Sequence, residues 1–423
     1  MSAPATRRDF LKTSSAGIAG AALASAIATR AYAAGDDVIR VGLIGCGGRG
    51  SGAASQALNA DKNVKLVAMG DAFSDRLEES LTNLKKSSAG DKVAVDADKK
   101  FVGFDAYKQV IDCGVDVVIL AGPPGFRPAH IKYAVEKGKH VFAEKPVAVD
   151  GPGVRSVLAT CEEAKKKNLS IVSGLCWRYH NPKRETIARC ADGAIGDILA
   201  MQCTYNTGKL KHYPRQPGWS DMEWQVRNWT YFAWGSGDMI VEQHIHSIDK
   251  AAWVMRDTYP VKATGTGGRQ VRTGPEFGHI YDHFNTVYEF ANGAKCFSAC
   301  RQIMGCENDV SDHFFGTKGK CDVFKHQITG EKAWKYTGQE NNMYQTEHDE
   351  LFASIRSGKA INNGEYMTKS SLMAIMGRMS AYTGKTITWD MALNSKEDLM
   401  PEKLEWSSLP VPPIATPGVT KFI

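Results

Sequence analysis

The stretch VIRVGLIGCGGRG, residues 38–50, decides the fold of this chain. A mostly apolar run passes directly into Gly-x-Gly-x-x-Gly, and an alanine-rich stretch, residues 51–59, follows. A strand, this glycine pattern and a helix in that order are typical of the turn that holds a dinucleotide pyrophosphate. There the first glycine allows a tight bend, the second lets the backbone approach the anion, and the third lets helix and strand pack closely. The candidate cofactor-binding residues of this loop are Gly45, Cys46, Gly47, Gly48, Arg49 and Gly50.

An acidic residue follows the next predicted strand. Residues 64–70 form an apolar run that ends at Asp71, 21 residues after Gly50. In dinucleotide-binding folds a carboxylate about 20 residues beyond the glycine loop binds the ribose 2′-hydroxyl. Because Asp71 would repel a 2′-phosphate, the sequence favours NAD, whereas Arg49 and Arg76 keep NADP open as the alternative.

Two further predicted strands place more candidates at the same edge of the sheet. Residues 115–120 are an apolar run that stops at Ala121-Gly122-Pro123-Pro124, and residues 140–143 lead into Glu144-Lys145-Pro146. Such runs are typical of parallel strands buried on both faces. Because ligands of open α/β sheets bind outside the carboxyl ends of the strands, we expect Pro123, Glu144 and Lys145 at the site.

Length and composition predict two globular domains. The chain has 423 residues, of which 43% are apolar and 23% are charged. Single hydrophobic cores stop growing near roughly 250–300 residues. We therefore predict a nucleotide-binding domain over 34–150, a second domain over 151–406 and an irregular tail over 407–423.

The first 33 residues predict an export signal. The pair Arg7-Arg8 precedes thirteen mostly small residues, 16–28, and a small-x-small end at 31–33. The stretch resembles the signals of bacterial twin-arginine substrates, which cross the membrane folded. The alternative, a membrane-spanning helix, is too short for about 30 Å of hydrocarbon. We expect a periplasmic or otherwise exported protein that uses the twin-arginine translocation machinery.

Charge and cysteine content exclude other classes. Of the net charge of +6, the predicted signal carries +3, which leaves +3 on 390 residues and no electrostatic footprint for nucleic acid. No later stretch approaches the roughly 18 apolar residues of a membrane span. The ten cysteines form no Cys-x-x-Cys pair, so zinc-ribbon spacing is absent. We expect most of them to be buried thiols, and one or two disulfides stay open.

Several further motifs accompany the glycine loop along the chain. GCGGRG at 45–50 is joined by AGPP at 121–124, GKHVFAEKP at 138–146, LCWRY at 175–179 and Glu-x-x-x-His-x-x-Asp at 242–249. Over about residues 38–399 the chain resembles the family of glucose-fructose oxidoreductase, inositol dehydrogenase and rhizopine catabolism proteins (Gfo/Idh/MocA).

The resemblance implies a fold and a set of contacts. It implies an α/β protein with an N-terminal Rossmann domain, a doubly wound parallel sheet. The second domain would be α+β, with an open, mostly antiparallel sheet that forms the substrate cleft and often the oligomer interface, so we expect a homo-oligomer, a dimer or tetramer. By the match, Lys145 touches both nicotinamide and substrate, and Trp177 and Arg178 lie against the cofactor.

Residues 239–255 predict one amphipathic helix. Apolar residues recur at helical spacing along a core face: Val241, Ile245, Ile248, Ala252 and Met255. At 100° per residue, a polar stripe runs beside it: Glu242, His246, Asp249 and Trp253. In a strand, Glu242, His244 and His246 would share one face and could bind a metal. Helical spacing turns His244 away, so we expect no metal.

In the family this stripe reads Asp-x-Gly-x-His-x-x-Asp, and its first aspartate and its histidine serve with the lysine in proton transfer. Here Glu242 replaces the aspartate and His244 replaces the glycine, whereas His246 and Asp249 match. The predicted catalytic residues are Lys145, His246 and Glu242. Histidine, with an ordinary pKa of about 6.5, suits a general base. Lysine stabilises developing alkoxide charge. A histidine merely bonded to Asp249 or Glu242 is the structural alternative.

Eight aromatic residues lie between Tyr205 and Trp234. A saccharide cleft, whose rings stack on sugar CH faces, and core or dimer packing account for this excess equally well. Among and around them, the candidate substrate-binding residues are Tyr179, Arg227, Trp229 and Asp249.

The sequence thus favours an exported, NAD-dependent oxidoreductase acting on a secondary alcohol of a sugar or cyclic polyol. No free NAD pool is expected outside the cytoplasm, so the cofactor would be loaded before export and would not dissociate. One alternative is an NAD-dependent, redox-neutral glycosidase; relatives with α-N-acetylgalactosaminidase activity lack the lysine that Lys145 provides here. Another is a non-catalytic periplasmic sugar-binding protein.

Overall fold

A computed structural model describes residues 37–423 of the chain. The predicted export signal, residues 1–33, therefore lies outside the described residues. Of the helices within this range, none is long and apolar enough to cross a membrane.

The first half forms the predicted parallel sheet. Its six strands are ordered β3-β2-β1-β4-β5-β6, and all are parallel. Ile39, Val41 and Leu43 of the central strand are almost fully buried, since helices cover both faces of such a sheet. The strands are β1 (Ile39–Ile44), β2 (Val64–Asp71), β3 (Lys100–Val102), β4 (Val117–Leu120), β5 (His140–Ala143) and β6 (Ile171–Ser173).

Helices connect these strands as a doubly wound fold requires. The predicted helix over 51–59 begins three residues earlier, because the last glycines of the loop already form its first turn. The helices are α1 (Gly48–Ala60), α2 (Ser74–Lys85), α3 (Ala106–Asp112), α4 (Arg127–Glu136) and α5 (Gly151–Lys166).

The predicted domain boundary at residue 150 falls inside the first layer. β6, residues 171–173, pairs with β5 and completes the parallel sheet after that boundary. A strand of three residues gives too short a pattern to be recognised in a sequence.

The second half contains an open nine-stranded sheet. Its order is β14-β13-β12-β11-β7-β10-β9-β8-β15, and apart from the parallel pair of β7 and β10 the neighbours are antiparallel. A hairpin at Asn292-Gly293 joins β9 to β10, with Gly293 at φ 87°. The strands are β7 (Ile198–Thr207), β8 (Lys262–Gly268), β9 (His283–Glu289), β10 (Lys295–Gln302), β11 (Asp309–Gly316), β12 (Gly319–Asp322), β13 (Gln327–Gly330), β14 (Trp334–Lys335) and β15 (Ile387–Thr388).

Long helices join the two layers into one core. α12 is buried along most of its length, and its Met373 lies in the same apolar cluster as Val157 of α5 and Met201 of β7. α11 returns to the first layer and packs on α1. The helices of this half are α6 (Asn181–Arg189), α7 (Asp221–Arg227), α8 (Ala233–Ser236), α9 (Met239–Glu242), α10 (Ile245–Val254), α11 (Met343–Ser357), α12 (Gly364–Thr383) and α13 (Trp389–Asn394).

The single helix predicted over 239–255 is broken into α9 and α10. At the break the N–H groups of Gln243 and His244 both donate to the carbonyl of Met239, at 3.0 and 3.1 Å. The carbonyl of Glu242, which would accept from residue 246 in a continuous helix, accepts a hydrogen bond from Lys145 Nζ. The helix is therefore interrupted where its backbone bonds to Lys145, and the periodicity of the sequence gives no sign of that contact.

All ten cysteines lie within residues 37–423, and none is in a disulfide there. Eight are buried, as expected of small apolar residues, while Cys306 is exposed.

Candidate active site

A cavity of about 320 Å³ opens at the carboxyl ends of β1, β2 and β4. This is the edge at which the sequence predicts the cofactor. Its lining includes these residues predicted for the cofactor: Gly45, Gly47, Gly48, Arg49, Gly50, Asp71, Arg76 and Pro123.

The glycine loop is built to receive a bulky anion. Gly45 has φ 94°, and a Cβ there would lie 2.3 Å from the amide nitrogen of Gly122. A Cβ at Gly50 would lie 1.9 Å from the carbonyl oxygen of Gly45. At Gly47 and Gly48 a Cβ would meet nothing within 4 Å, so their backbone faces open space at the start of α1. The tight turn, the close packing and the open helix N-terminus fit the pyrophosphate of a dinucleotide.

Asp71 is fixed by the backbone beside this loop. Its carboxylate accepts hydrogen bonds from the N–H groups of Cys46, at 2.6 Å, and Phe73, at 2.9 Å. Burial raises the pKa of Asp71 above its ordinary value. The side chain of Cys46 turns into the core, and its thiol lies 3.5 Å from the carbonyl of Gly70. Cys46 thus positions Asp71 through its amide, while its buried thiol does not line the cavity.

Residues predicted to bind substrate form the outer wall of the same cavity. Arg227 lies 3.8 Å over the ring of Phe73 and pairs with Asp75 at 3.0 Å. Trp229 also lines the cavity. Helix α7 reaches across to the end of β2. Arg227 and Trp229 therefore line the nucleotide cavity, whereas Lys145 does not.

The chain's last segment covers the cavity from another side. Trp406 packs 4.3 Å from the ring of Phe104 and 5.2 Å from that of Phe73. Both phenylalanines line the cavity. Trp406, the residue just before the predicted irregular tail, therefore supports the wall of the cavity that Phe73 and Phe104 form.

A second group of polar residues forms where β5 meets the break between α9 and α10. Lys145 Nζ lies 2.9 Å from Glu242 Oε1 and also donates to the Glu242 carbonyl. The two side chains are 14% and 18% exposed, so the pair is shielded but reachable. The structure thus brings together Lys145 and Glu242, which are 97 positions apart.

His246, the second residue of α10, completes this group. Its ring stacks on Trp177 at 5.6 Å. Its Nδ1 is buried without a hydrogen-bond partner in the described part of the chain. Burial, followed by the charges of Lys145, Lys250 and Arg49, lowers the pKa of His246 well below its ordinary value. The imidazole is therefore neutral at pH 7 and able to accept a proton.

Trp177 is held by cations and a second ring. Lys250 Nζ lies 3.2 Å from the centre of its ring and 2.6 Å from the carboxylate of Asp312. Phe324 meets it edge-on at 4.9 Å. Trp177, which the resemblance predicts to lie against the cofactor, is thus held by cation–π and ring contacts while it packs against His246.

Three predicted site residues are instead used inside the fold. Arg178 forms a bidentate pair with Asp249 at 2.8–3.1 Å, and both are buried. Tyr179 is 3% exposed, and its hydroxyl donates to Asn363 at 2.6 Å. Arg178 and Asp249 satisfy each other, because an unpaired buried charge is costly, and Tyr179 is bonded within the fold.

Arg49 links the glycine loop to a buried acidic pair. It donates to Glu144, and it lies 2.8 Å from Glu347. Burial and the neighbouring Glu144 raise the pKa of Glu347 well above its ordinary value. Glu144 thus reaches the site through Arg49, which itself lines the cavity.

Most of the aromatic cluster is packing. Trp224, Tyr231, Phe232 and Trp234 lie in one buried apolar cluster. Tyr213 and Trp229 line the nucleotide cavity. Tyr205 and Trp219 pack partly buried against the core clusters, so packing accounts for six of the eight and the cavity wall for Tyr213 and Trp229.

Several cavity and support residues escape sequence reasoning. Phe73 could have been found, because it lies two residues after Asp71 at a strand end. Glu347 could not, because it reaches Arg49 from 298 positions away. Other missed lining residues include Phe104, Tyr107, Phe126, His130 and Tyr213.

Known proteins resemble this chain in sequence. Among curated relatives, inositol 2-dehydrogenase 1 of Saccharopolyspora erythraea is 29% identical over 182 residues, 42% of this chain and 50% of that protein. Glycosyl hydrolase family 109 protein 4 of Phocaeicola vulgatus is 26% identical over 270 residues, 61% of this chain and 50% of that protein. The chain thus spans about half the length of the curated relatives that it matches.

A solved structure shares the fold. The aldose-aldose oxidoreductase of Caulobacter crescentus, crystallised with glycerol, superposes with a TM-score of 0.65 at 19% identity, over 83% of this chain and 99% of that one.

Two family descriptions match separate parts of the chain. "Oxidoreductase family, NAD-binding Rossmann fold" matches residues 39–172, which contain the glycine loop and Lys145. "GFO/IDH/MocA C-terminal domain" matches residues 184–322, which contain Glu242 and His246. Both halves of the candidate site lie within these matches, and the chain belongs to the Gfo/Idh/MocA oxidoreductase family.

Proposed function

We propose that this protein is an NAD-dependent oxidoreductase that transfers hydride to and from a secondary alcohol of a sugar or cyclic polyol. The observation that carries the proposal is the contact of Lys145 with Glu242, four residues before His246, whose ring stacks on Trp177. The activities of the similar inositol 2-dehydrogenase and aldose-aldose oxidoreductase support this substrate class.

The three residues divide the proton chemistry. A bound nicotinamide supplies the hydride acceptor. As the carbinol C–H hydride leaves, its O–H proton passes to the imidazole of His246, and the carbon–oxygen single bond becomes a carbonyl. Lys145 Nζ donates to the substrate oxygen and stabilises its developing negative charge. Glu242 holds Lys145 in place at 2.9 Å, and in reduction each transfer reverses.

Asp71 supports NAD as the preferred cofactor. Its carboxylate lines the cavity and is oriented by two backbone N–H groups. A 2′-hydroxyl can donate to that carboxylate, whereas a 2′-phosphate would face its charge. Arg76 lies at the same wall over Tyr213, at 5.0 Å, and is the residue through which NADP would be accommodated.

We further propose that the protein is exported and retains its cofactor. The arginine pair at residues 7 and 8 motivates the first part. The second is supported by the walls that the later half of the chain places around the cavity, including Arg227 and Trp406. A retained cofactor is not exchanged between cycles, so a second sugar or ketone must return the hydride.

A redox-neutral glycosidase is the second candidate, and the similarity to a glycosyl hydrolase family 109 protein is the observation that favours it. In that reaction the same site oxidises a glycoside, eliminates its aglycone, allows water to add to the resulting double bond and returns the hydride to the carbonyl. No external acceptor is needed. A non-catalytic sugar-binding protein remains the third, and it would be unaffected by loss of Lys145.

One experiment separates these functions. Untagged protein is purified from the exported fraction and denatured, and the released nucleotide is identified. Native protein is then mixed with inositols, aldoses and aryl glycosides while 340 nm absorbance is followed. Bound NAD that is reduced by a polyol or aldose and reoxidised by a second sugar supports the proposal. Sugar release from a glycoside without an acceptor replaces it with the second candidate. Protein that neither contains nor binds a nicotinamide nucleotide removes both.

A further inference from the structure

Two histidines and a glutamate converge at a place apart from the candidate active site. His180, His326 and Glu340 each offer a ligand atom, and these atoms lie within 4.8 Å of one another. The Nε2 atoms of His180 and His326 lie 3.7 and 4.0 Å from the two oxygens of Glu340. These distances exceed hydrogen-bond length, so the three groups face one another across a gap.

The three groups come from segments that are far apart in the sequence. His180 follows the turn over 176–179 and begins α6. His326 lies in the turn between β12 and β13 with φ 51°, a left-handed conformation that few non-glycine residues adopt. Glu340 lies in the loop that leads to α11. Any ion that they bound would therefore fasten three separate elements.

The loop of Glu340 is already fixed beside His180. The side chain of Asn341 accepts from the N–H of Asn181 and donates to the carbonyl of Tyr179, both at 2.8 Å. The turn of His326 is likewise tied, because its carbonyl accepts from the N–H of Tyr336 at 3.0 Å. The convergence is thus set by backbone contacts and does not depend on the side chains attracting one another.

Both imidazoles are largely buried: His180 and His326 are 9% and 8% exposed. The Nδ1 atoms of both are buried and have no hydrogen-bond partner within the described residues. The Nε2 atoms are the ones that face Glu340, and a neutral imidazole nitrogen is a common metal ligand.

The spacing suits a small divalent ion. Zinc binds histidine nitrogen and carboxylate oxygen at about 2.0–2.2 Å, so tetrahedral ligand atoms lie about 3.3–3.5 Å apart. The two gaps to Glu340, 3.7 and 4.0 Å, are slightly longer than this range. Glu340, whose side chain is 66% exposed, is free to shorten them. Lys183 opposes a cation there, but its Nζ lies over the ring of Phe324 at 4.6 Å.

We propose that His180, His326 and Glu340 bind a divalent transition-metal ion, with Zn²⁺ the best suited, and that solvent occupies the remaining position. The ion joins the β12–β13 turn, which carries Phe324, to the turn that carries Trp177. Trp177 packs against both His246 and Phe324. The proposed metal site therefore stabilises the elements that hold Trp177 and takes no part in the hydride transfer itself.

The test uses untagged, full-length protein freed of metal by a chelator. Zn²⁺ is titrated in competition with a chromophoric chelator, and Co²⁺ is added separately while its visible spectrum is recorded. We expect one equivalent of Zn²⁺, intense tetrahedral Co²⁺ absorption and a higher melting temperature with Zn²⁺. His326→Ala should weaken binding at least a hundredfold, and Glu340→Gln about tenfold.

His283→Ala is the matched control. His283 also pairs with a carboxylate, Asp282, at 2.7 Å, but no second histidine joins it. This variant should bind Zn²⁺ as the unchanged protein does. Because Glu340 is exposed, Glu340→Gln keeps the test valid if the histidine variants fail to fold. The proposal is overturned if the unchanged protein binds no stoichiometric Zn²⁺, or if Glu340→Gln and His326→Ala bind it with unchanged affinity.

Discussion

At the scale of single residues, Lys145 connects the two parts of the candidate active site. It follows β5 of the parallel sheet, yet its amine contacts both the side chain and the carbonyl of Glu242, in the second half of the chain. The same lysine charge helps to keep His246 neutral. Lys145 therefore contacts Glu242 directly and favours the neutral form of His246 through its charge.

Removing the side chain of His246 or Lys145 should lower turnover strongly without releasing the bound nucleotide. General acid–base groups typically contribute about 10²–10⁴-fold, so we expect His246→Ala and Lys145→Ala each to lower kcat by that range. Neither residue lines the nucleotide cavity, so bound nucleotide should be unchanged in both. Steady-state kinetics and nucleotide extraction measure the two effects, with His283→Ala as control. Unaltered turnover in both variants would exclude this site.

A buried histidine of the parallel sheet makes the fold sensitive to acid. Burial lowers the pKa of His140 to about 4, and its Nδ1 accepts a hydrogen bond from the N–H of Ser170 at 3.0 Å. The unfolded chain, with an ordinary pKa near 6.5, binds the proton first, so stability is present above pH 6.5 and is lost as pH falls towards 4. The loss is about 2 kcal/mol between pH 7 and 5.

His140→Asn isolates that contribution. The asparagine oxygen can accept from Ser170 but cannot be protonated in this range. Urea unfolding at pH 7 and 5 should therefore show a smaller decrease in the free energy of unfolding, by about 2 kcal/mol, than in the unchanged protein. An equal decrease in both proteins would mean that His140 titrates normally in the fold.

At the scale of elements, the sequence predicts what is locally periodic. β5 begins and ends as predicted, and β1, β2 and β4 differ by at most two residues, because buried parallel strands have continuous apolar runs. The break between α9 and α10 was missed, since it depends on Lys145, about a hundred positions earlier. The pair of Arg178 and Asp249 was missed for the same reason: motif matching identifies residue types but does not show what each one faces.

The carboxyl end of β2 should determine cofactor choice. Asp71→Ala removes the charge that would repel a 2′-phosphate and leaves Arg76 at the same wall. We expect the preference for NAD over NADP to fall by about tenfold or more, since an opposed charge pair typically costs at least 1.4 kcal/mol in a shielded site. Binding constants for both nucleotides measure the change. Asp75→Ala, which removes the partner of Arg227 outside the loop, is the control. An unchanged ratio in Asp71→Ala would assign selectivity elsewhere.

At the scale of the whole molecule, the nine-stranded sheet leaves one face uncovered. Phe297 of β10 is 47% exposed and Phe315 of β11 is 39% exposed. Their register partners on β7, Gln202 and Ala200, alternate with buried Met201 and therefore share the outer face. Exposed apolar groups on an open sheet favour a second copy of the chain as partner.

Charged substitutions on this face should separate the subunits. We expect the unchanged protein to be a dimer or tetramer by sedimentation, and Phe297→Glu combined with Phe315→Glu to be a monomer with an unchanged circular dichroism spectrum. Val419→Glu, at a residue 73% exposed in the tail, should leave the assembly intact. A monomeric unchanged protein at micromolar concentration contradicts the proposal.

The proposed retention of the cofactor would depend on the walls that later segments of the described chain add to the first domain's cavity. Trp406 packs on Phe73 and Phe104, so removing its ring loosens two walls at once. Aromatic contacts are worth about 0.5–1.5 kcal/mol beyond area, which corresponds to release of nucleotide up to about tenfold faster in Trp406→Ala. Fluorescence of bound NADH after dilution into excess NAD measures that rate. Trp334→Ala, at the far end of the second sheet, should leave the rate unchanged. Equal, rapid release from all three proteins would show a freely exchanging cofactor, and the requirement for a second sugar to return the hydride would disappear with it.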